Sequence, residues 1–131
     1  MAMRGGYGTK SLLNKTEKMI FHIIRKLIKD EPLHCFPQVS CREIFTHDDG
    51  ETYLATVNSK RSDFCITDNL NPVAIVEYQG SGHTLSGDSG NRDAVKSIAS
   101  QSAEVIFIQL FPNDNYTEKL TNELEHLMKK S

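Results

Sequence analysis

Two short segments near the middle of the chain, Arg61-Ser62-Asp63-Phe64-Cys65-Ile66 and Val73-Ala74-Ile75-Val76-Glu77-Tyr78-Gln79, decide most of what it can become. Both read as β-strands, and Asp68-Asn69-Leu70-Asn71-Pro72 between them reads as a short turn, so they form antiparallel neighbours. Side chains alternate faces along a strand, which puts Glu77 and Gln79 on one face and Ala74, Val76 and Tyr78 on the other. An acid on one strand and acid-x-polar on the next is how a small sheet gathers carboxylates around a hard divalent cation. Mg²⁺ takes oxygen ligands in a near-octahedral array, commonly one or two carboxylates plus waters. Asp63 and Glu77 are the two carboxylates on offer.

The rest of the chain supplies a frame for that hairpin. Asn14-Lys15-Thr16-Glu17 reads as a capping box opening a helix that runs to about Asp30, before Pro32. Ile20, Ile23, Ile24, Leu27 and Ile28 make its core-facing stripe. Leu33 to Cys41 reads as a first strand, and Pro37 assigns it to an edge or a bulge. Ile44 and Phe45 fall in a short turn or helix, His47-Asp48-Asp49-Gly50 is a turn, and Tyr53 to Val57 extends the sheet. Gly80 to Gly90 reads as a long glycine-rich loop, a flap over the carboxylates. Asn91 to Ser102 is expected to be a second helix with Ala94, Val95 and Ile98 inward. Val105 to Phe111 is a near-continuous apolar run, the pattern of a strand covered on both faces. Thr117 to Lys130 is expected to be a last helix with Leu120, Leu124, Leu127 and Met128 inward. The order gives an α/β (α+β) domain, a mixed central sheet flanked by helices. Residues 1–10 read as a flexible N-terminal segment and 11–131 as one domain.

Composition narrows the function classes. At 131 residues the chain has the size of one domain, and no apolar run reaches the roughly 18 residues of a membrane span. The N-terminus lacks the apolar stretch of a secretory signal. Three cysteines, Cys35, Cys41 and Cys65, with no C-x-x-C pair, argue for a reducing, cytoplasmic setting and buried thiols rather than disulfides or zinc. A net charge of −2 speaks against strong nonspecific nucleic-acid binding, but the average hides clustering. Lys10, Lys15, Lys18, Arg25, Lys26 and Lys29 crowd the first helix, Lys60 and Arg61 precede Asp63, and Arg92 and Lys96 follow the Glu77 strand. A basic surface beside the carboxylates and ordinary solvated helix faces both fit this pattern. His22, His34, His47 and His126 show no ligand spacing, and the glycine loop lacks the P-loop lysine.

In order, Glu17 on the first helix, Ser62-Asp63-Phe64, Glu77-Tyr78-Gln79-Gly80-Ser81-Gly82-His83 and Arg92-Asp93 resemble the motifs of the PD-(D/E)XK nuclease superfamily. The likeness is greatest to bacterial domains of unknown function placed near the very-short-patch repair endonucleases. It covers about Ser11 to Leu127 and implies a restriction-endonuclease-like αβββαβ core. It also implies metal-assisted hydrolysis of DNA phosphodiesters with Mg²⁺ or Mn²⁺, in a bacterial or phage protein. RNA is not excluded as a substrate, no membrane is involved, and a homodimer stays open. By the resemblance Asp63 binds the metal, Glu77 binds it or its water, and the Tyr78 carbonyl is a further ligand. Gln79 stands where the superfamily usually keeps a lysine, and it can orient a water but adds no positive charge. Lys96, one helical turn beyond Asp93, is placed to supply that charge, better than Lys60 or Arg61. Glu17 either supports the metal site or serves only its capping box. His83 is either a general acid–base or a loop histidine. Arg92 is read as a phosphate contact and Asp93 as a helix N-terminal charge. Three functions follow in rank: a metal-dependent nuclease, a catalytically degenerate nuclease fold that binds nucleic acid or protein, and a regulator that merely uses the scaffold.

Overall fold

A computed structural model of the chain describes residues 4–47, 60–80 and 87–128. Helix α1 (Lys15–Ile28) leads into strand β1 (Leu33–Ser40), a 3₁₀ turn at Cys41–Glu43, and strands β2 (Arg61–Asp68) and β3 (Asn71–Tyr78). Helix α2 (Gly87–Ser102), strand β4 (Ile106–Leu110) and helix α3 (Tyr116–Leu124) follow, the last ending in a 3₁₀ turn at Glu125–Leu127. The sheet order is β1-β2-β3-β4, with β1/β2 and β2/β3 antiparallel and β3/β4 parallel across the α2 crossover. This is a mixed α+β architecture, with four strands in a mixed sheet and three α-helices around it among the described residues.

Local chemistry explains most of these elements. Asn14 Oδ1 accepts the Glu17 N–H and Glu17 Oε1 accepts the Asn14 N–H, the reciprocal capping box that starts α1. Ile20, Ile24 and Ile28 are buried, and Ile23 and Leu27 pack at the margin of the same cluster. Among the described residues β1 is an edge strand, which is where Pro37 is tolerated. The hairpin turn needs only Asn69 and Leu70, both left-handed at φ 53° and 67°. Asparagine tolerates that region; leucine there is strained.

One face of the sheet carries the main core, where Phe64, Ile66, Ala74, Val76, Ile108 and Leu110 meet α1 and α3. The Phe21 ring of α1 stacks on Phe64 with centroids 6.1 Å apart. The other face carries a smaller cluster of Cys41, Phe45, Ile75 and Val105 under Val95 and Ala99 of α2. β4 contributes to both, Ile108 and Leu110 to the first and Phe107 to the second, as its apolar run anticipates.

Three expectations need correction and three fall outside the described residues. α2 begins at Gly87, not Asn91, so the end of the supposed loop is helical. Asp88 and Ser89 are residue types that suit an opening turn, and this offsets the weak helix propensity of Gly87 and Gly90. Of Ala94, Val95 and Ile98, only Val95 packs inward on α2. Ala94 is exposed and Ile98 is 68% exposed, while Lys96 and Ser100 are buried with Val95 and Ala99 partly covered. The last α-helix stops at Leu124 and tightens to 3₁₀. The expected strand at Tyr53–Val57, the turn from Asp48 and the loop segment 81–86 lie outside the described residues.

Candidate functional site

Pairing between β2 and β3 runs from Asp68↔Asn71 to Phe64↔Val76. Beyond Phe64 carboxylates take over from backbone carbonyls as acceptors. The Asp63 N–H donates to Glu77 Oε2 at 3.1 Å, and the Tyr78 N–H donates to Asp63 Oδ2 at 2.8 Å. On the other side of Asp63, β1 pairs at Pro37↔Phe64 and Val39↔Ser62, while Gln38 between them turns to φ 57°. β3 meanwhile stays with β4 through Glu77↔Gln109 and Tyr78↔Leu110, and the Gln79 N–H continues the ladder to the Leu110 carbonyl at 2.8 Å. The two acids therefore sit at the fork where the central strands part company.

Lys96 reaches this fork from α2. Its Nζ donates to Glu77 Oε1 at 2.7 Å and to the Arg61 carbonyl at 2.7 Å. Lys96 is 8% exposed and Glu77 4%, so the pair is buried. The short contact is that of an ammonium on a carboxylate. Burial pushes the Glu77 carboxyl up to about 7 and the charge of Asp63 adds to the rise, while Lys96 and the Asp63 N–H oppose it. Cys41, fully buried beneath the pair, has its thiol pushed up to about 11 by burial; Lys96 and Lys60 draw it down and Glu77 raises it. The other thiols are raised too, Cys35 to about 12 and Cys65 to about 11, first through burial.

Of the residues singled out from sequence, Asp63, Glu77, the Tyr78 backbone and Lys96 are brought together. Gln79 follows Tyr78 and is buried, 7% exposed. Arg61 enters through its carbonyl, with the residue itself exposed, and Lys60 is half-buried next to it. Glu17 is not joined to the fork by any described contact. Its carboxylate closes the capping box, and α1 covers the face of the sheet opposite Lys96. Arg92 and Asp93 lie on α2, Arg92 one turn before Lys96, with side chains outside the described residues, as is His83. Sequence reasoning missed the Arg61 carbonyl and Cys41. No residue type flags a backbone acceptor, and nothing in the spacing ties Cys41 to Glu77.

Among the described residues no three His, Cys, Asp or Glu side chains gather at one point. A cation at the fork would draw two carboxylates from the chain, with carbonyl oxygen and water completing its shell, a donor set that suits Mg²⁺ or Mn²⁺ and not zinc. A separate groove of about 380 Å³ opens toward the turn end of the hairpin, lined by Phe36, Cys65, Thr67, Leu70 and Pro72 among others, and none of its lining residues belongs to the fork. No helix among the described residues is long and apolar enough to cross a membrane.

Residues 9–127 match the family described as "Protein of unknown function (DUF2726)". An uncharacterized protein of Haemophilus influenzae (strain Rd) is 41% identical over 110 residues, which are 82% of this chain and 57% of that protein. The uncharacterized protein y4bI of Sinorhizobium fredii (strain NGR234) is 30% identical over 135 residues, 98% of this chain and 94% of that protein. The chain thus spans a little over half of the Haemophilus relative and nearly all of the Sinorhizobium one. No solved structure matches the chain.

Proposed function

From a chain that belongs to the DUF2726 family, we propose a divalent-metal-dependent nuclease of the PD-(D/E)XK type that hydrolyses phosphodiester bonds of DNA in the cytoplasm. The observation that carries this reading is the fork itself: two carboxylates at the parting of β2 and β3, with a buried ammonium on one of them.

The donor set suits a hard cation, with Asp63, Glu77 and the Tyr78 carbonyl as the residues to hold it. A bound Mg²⁺ or Mn²⁺ supplies Lewis acidity and an activated water. The chain's own contribution is positioning and charge. The Tyr78 N–H fixes one oxygen of Asp63, and the Asp63 N–H fixes one oxygen of Glu77, so neither carboxylate has to be ordered at the moment of reaction. Lys96 brings the positive charge that Gln79 lacks, and it stabilises the extra negative charge that develops on phosphate. Gln79 orients a water. Lys60, Arg61 and Arg92 meet the nucleic-acid backbone as nonspecific phosphate contacts.

Two features favour a second reading, a degenerate nuclease fold that only binds: Gln79 at the usual lysine position and the net charge of −2. A cleavage assay separates them. Purified protein is incubated with single-stranded, duplex and branched DNA and with RNA, with Mg²⁺, with Mn²⁺ or with chelator. Metal-dependent cleavage of DNA, lost in Asp63→Ala and in Glu77→Ala, is the expected result. Cleavage of RNA alone would reassign the substrate. No cleavage of any substrate with either ion would favour the binding protein.

A further inference from the structure

Lys96 is the only buried lysine among the described residues. Its ammonium rests on two oxygens, Glu77 Oε1 and the Arg61 carbonyl, each at 2.7 Å. Carboxylate and carbonyl oxygens are also what a hard divalent cation takes. Both Glu77 oxygens already accept a hydrogen bond, Oε1 from Lys96 and Oε2 from the Asp63 N–H, so a divalent ion on Oε1 would share that oxygen with a positive charge 2.7 Å away. The Asp63 N–H belongs to a strand backbone and cannot withdraw alone, whereas Lys96 sits on a flexible four-carbon stem. A divalent ion on Oε1 therefore meets the like charge of the ammonium, and the lysine is the partner able to withdraw.

We propose that Lys96 is the resident cation of the Asp63–Glu77 fork and that a divalent ion gains Glu77 Oε1 only by displacing it. This rests on the reading of the fork as a divalent-metal site. It adds that ammonium and metal exclude each other at Glu77, so the metal-free protein holds its acids with an internal counter-ion. Displacement also places the ammonium usefully. Lys96 stays anchored on α2 beside the fork, and once freed from Glu77 it is within reach of an anion held there. Loading the metal and freeing the lysine become one event.

Calorimetric titration with Mn²⁺ at about pH 8.5, above the value of about 7 to which Glu77 is raised in wild type, tests this on wild type and Lys96→Met, in buffers of different ionisation enthalpy to count any proton that Glu77 of the variant gives up, with Asp63→Asn as the control for binding at the fork. Methionine keeps much of the apolar stem and removes the charge. Lys96→Met is expected to bind Mn²⁺ about ten- to a hundredfold more tightly than wild type, the range set by one charge-assisted hydrogen bond no longer opposing the ion. Binding equal to or weaker than wild type, in a variant whose circular dichroism matches wild type, overturns the inference.

Should that variant fail to fold, wild type alone decides. In lysine-labelled protein the Lys96 ammonium and ε-carbon signals should shift on titration with diamagnetic Mg²⁺, with the midpoint found by calorimetry. Signals unmoved at saturation overturn the inference. The outcomes also separate the two proposals. Tighter binding by Lys96→Met with no cleavage by wild type supports displacement and removes the nuclease. Metal-dependent cleavage by wild type with no gain in Lys96→Met keeps the nuclease and removes displacement. No binding of millimolar Mn²⁺ by either protein removes both.

Discussion

Removing the Lys96 ammonium should destabilise the protein in a way that depends on pH, and the structure gives both sign and size. Glu77, 4% exposed, would keep Asp63 as a neighbouring acid and lose its 2.7 Å cation, and the Arg61 carbonyl would lose a donor. Breaking a buried pair by deleting one partner costs about 3–5 kcal/mol. That is a large part of the roughly 5–15 kcal/mol that stabilises a domain of this size. Glu77 can limit the loss by taking up a proton. In wild type its carboxyl is already raised from 4.5 to about 7. The folded state holds this proton more tightly than the unfolded chain, so the stability it confers is complete below about 4.5 and is lost as pH climbs through 7. In Lys96→Met the charge and the hydrogen bond of Lys96 no longer oppose the rise, so Glu77 moves higher still and the loss continues past 7. The gap between variant and wild type then widens by about 1.4 kcal/mol per pH unit until the new value is passed. Urea denaturation of both proteins should show a larger penalty at about pH 8.5 than at pH 6, by up to about 2 kcal/mol. Glu77→Gln/Lys96→Met, which buries neither charge, should recover part of that loss at the higher pH. A penalty identical at the two pH values, or a double variant whose loss is the sum of the single ones, would refute the coupling.

Two further expectations follow from local geometry. Glu17→Ala breaks half of the capping box and should lower stability by about 1 kcal/mol or less without altering cleavage, read by thermal melting beside the nuclease assay; a loss of cleavage in a stable variant would give Glu17 a part in the site after all. Leu70→Gly, at φ 67° and 76% exposed, relieves left-handed strain at little cost in burial and should raise stability by about 0.5–1 kcal/mol in urea melts, whereas a drop would show that Leu70 contributes through packing in the groove it lines.

The fold was legible wherever a short period met a strong pattern. The isoleucine stripe phased α1, Pro37 marked β1 as an edge, and strand alternation separated Ala74, Val76 and Tyr78 from Glu77. α2 was misread because its pattern is weak. Ala94, Val95 and Ile98 are too few to fix a helical phase, and the helix is instead oriented by a partner distant in sequence, with Lys96 turned in to Glu77 across 19 residues of chain. Ile98 is left in solvent as a consequence. Glycines 87 and 90 misled in the same way, since glycine marks conformational freedom and does not forbid a helix that packing requires.

At the fork, alternation put Glu77 on its face, but it could not show that carboxylates would accept the amide hydrogens of Asp63 and Tyr78 where the β2–β3 ladder ends. Those hydrogen bonds do not require acids. An asparagine at position 63 would accept the Tyr78 N–H through its amide oxygen and fit the same space. It would also leave Glu77 with one repulsion fewer, since the charge of Asp63 is a principal cause, after burial, of the raised Glu77 carboxyl. Asp63 thus weakens the hold of Glu77 on its charge beside Lys96. What that charge adds is attraction for a doubly charged ion, which one carboxylate with a lysine on it would bind poorly. An acid at position 63, where an amide would serve the Tyr78 contact, is the feature that favours a cation site over a merely structural fork.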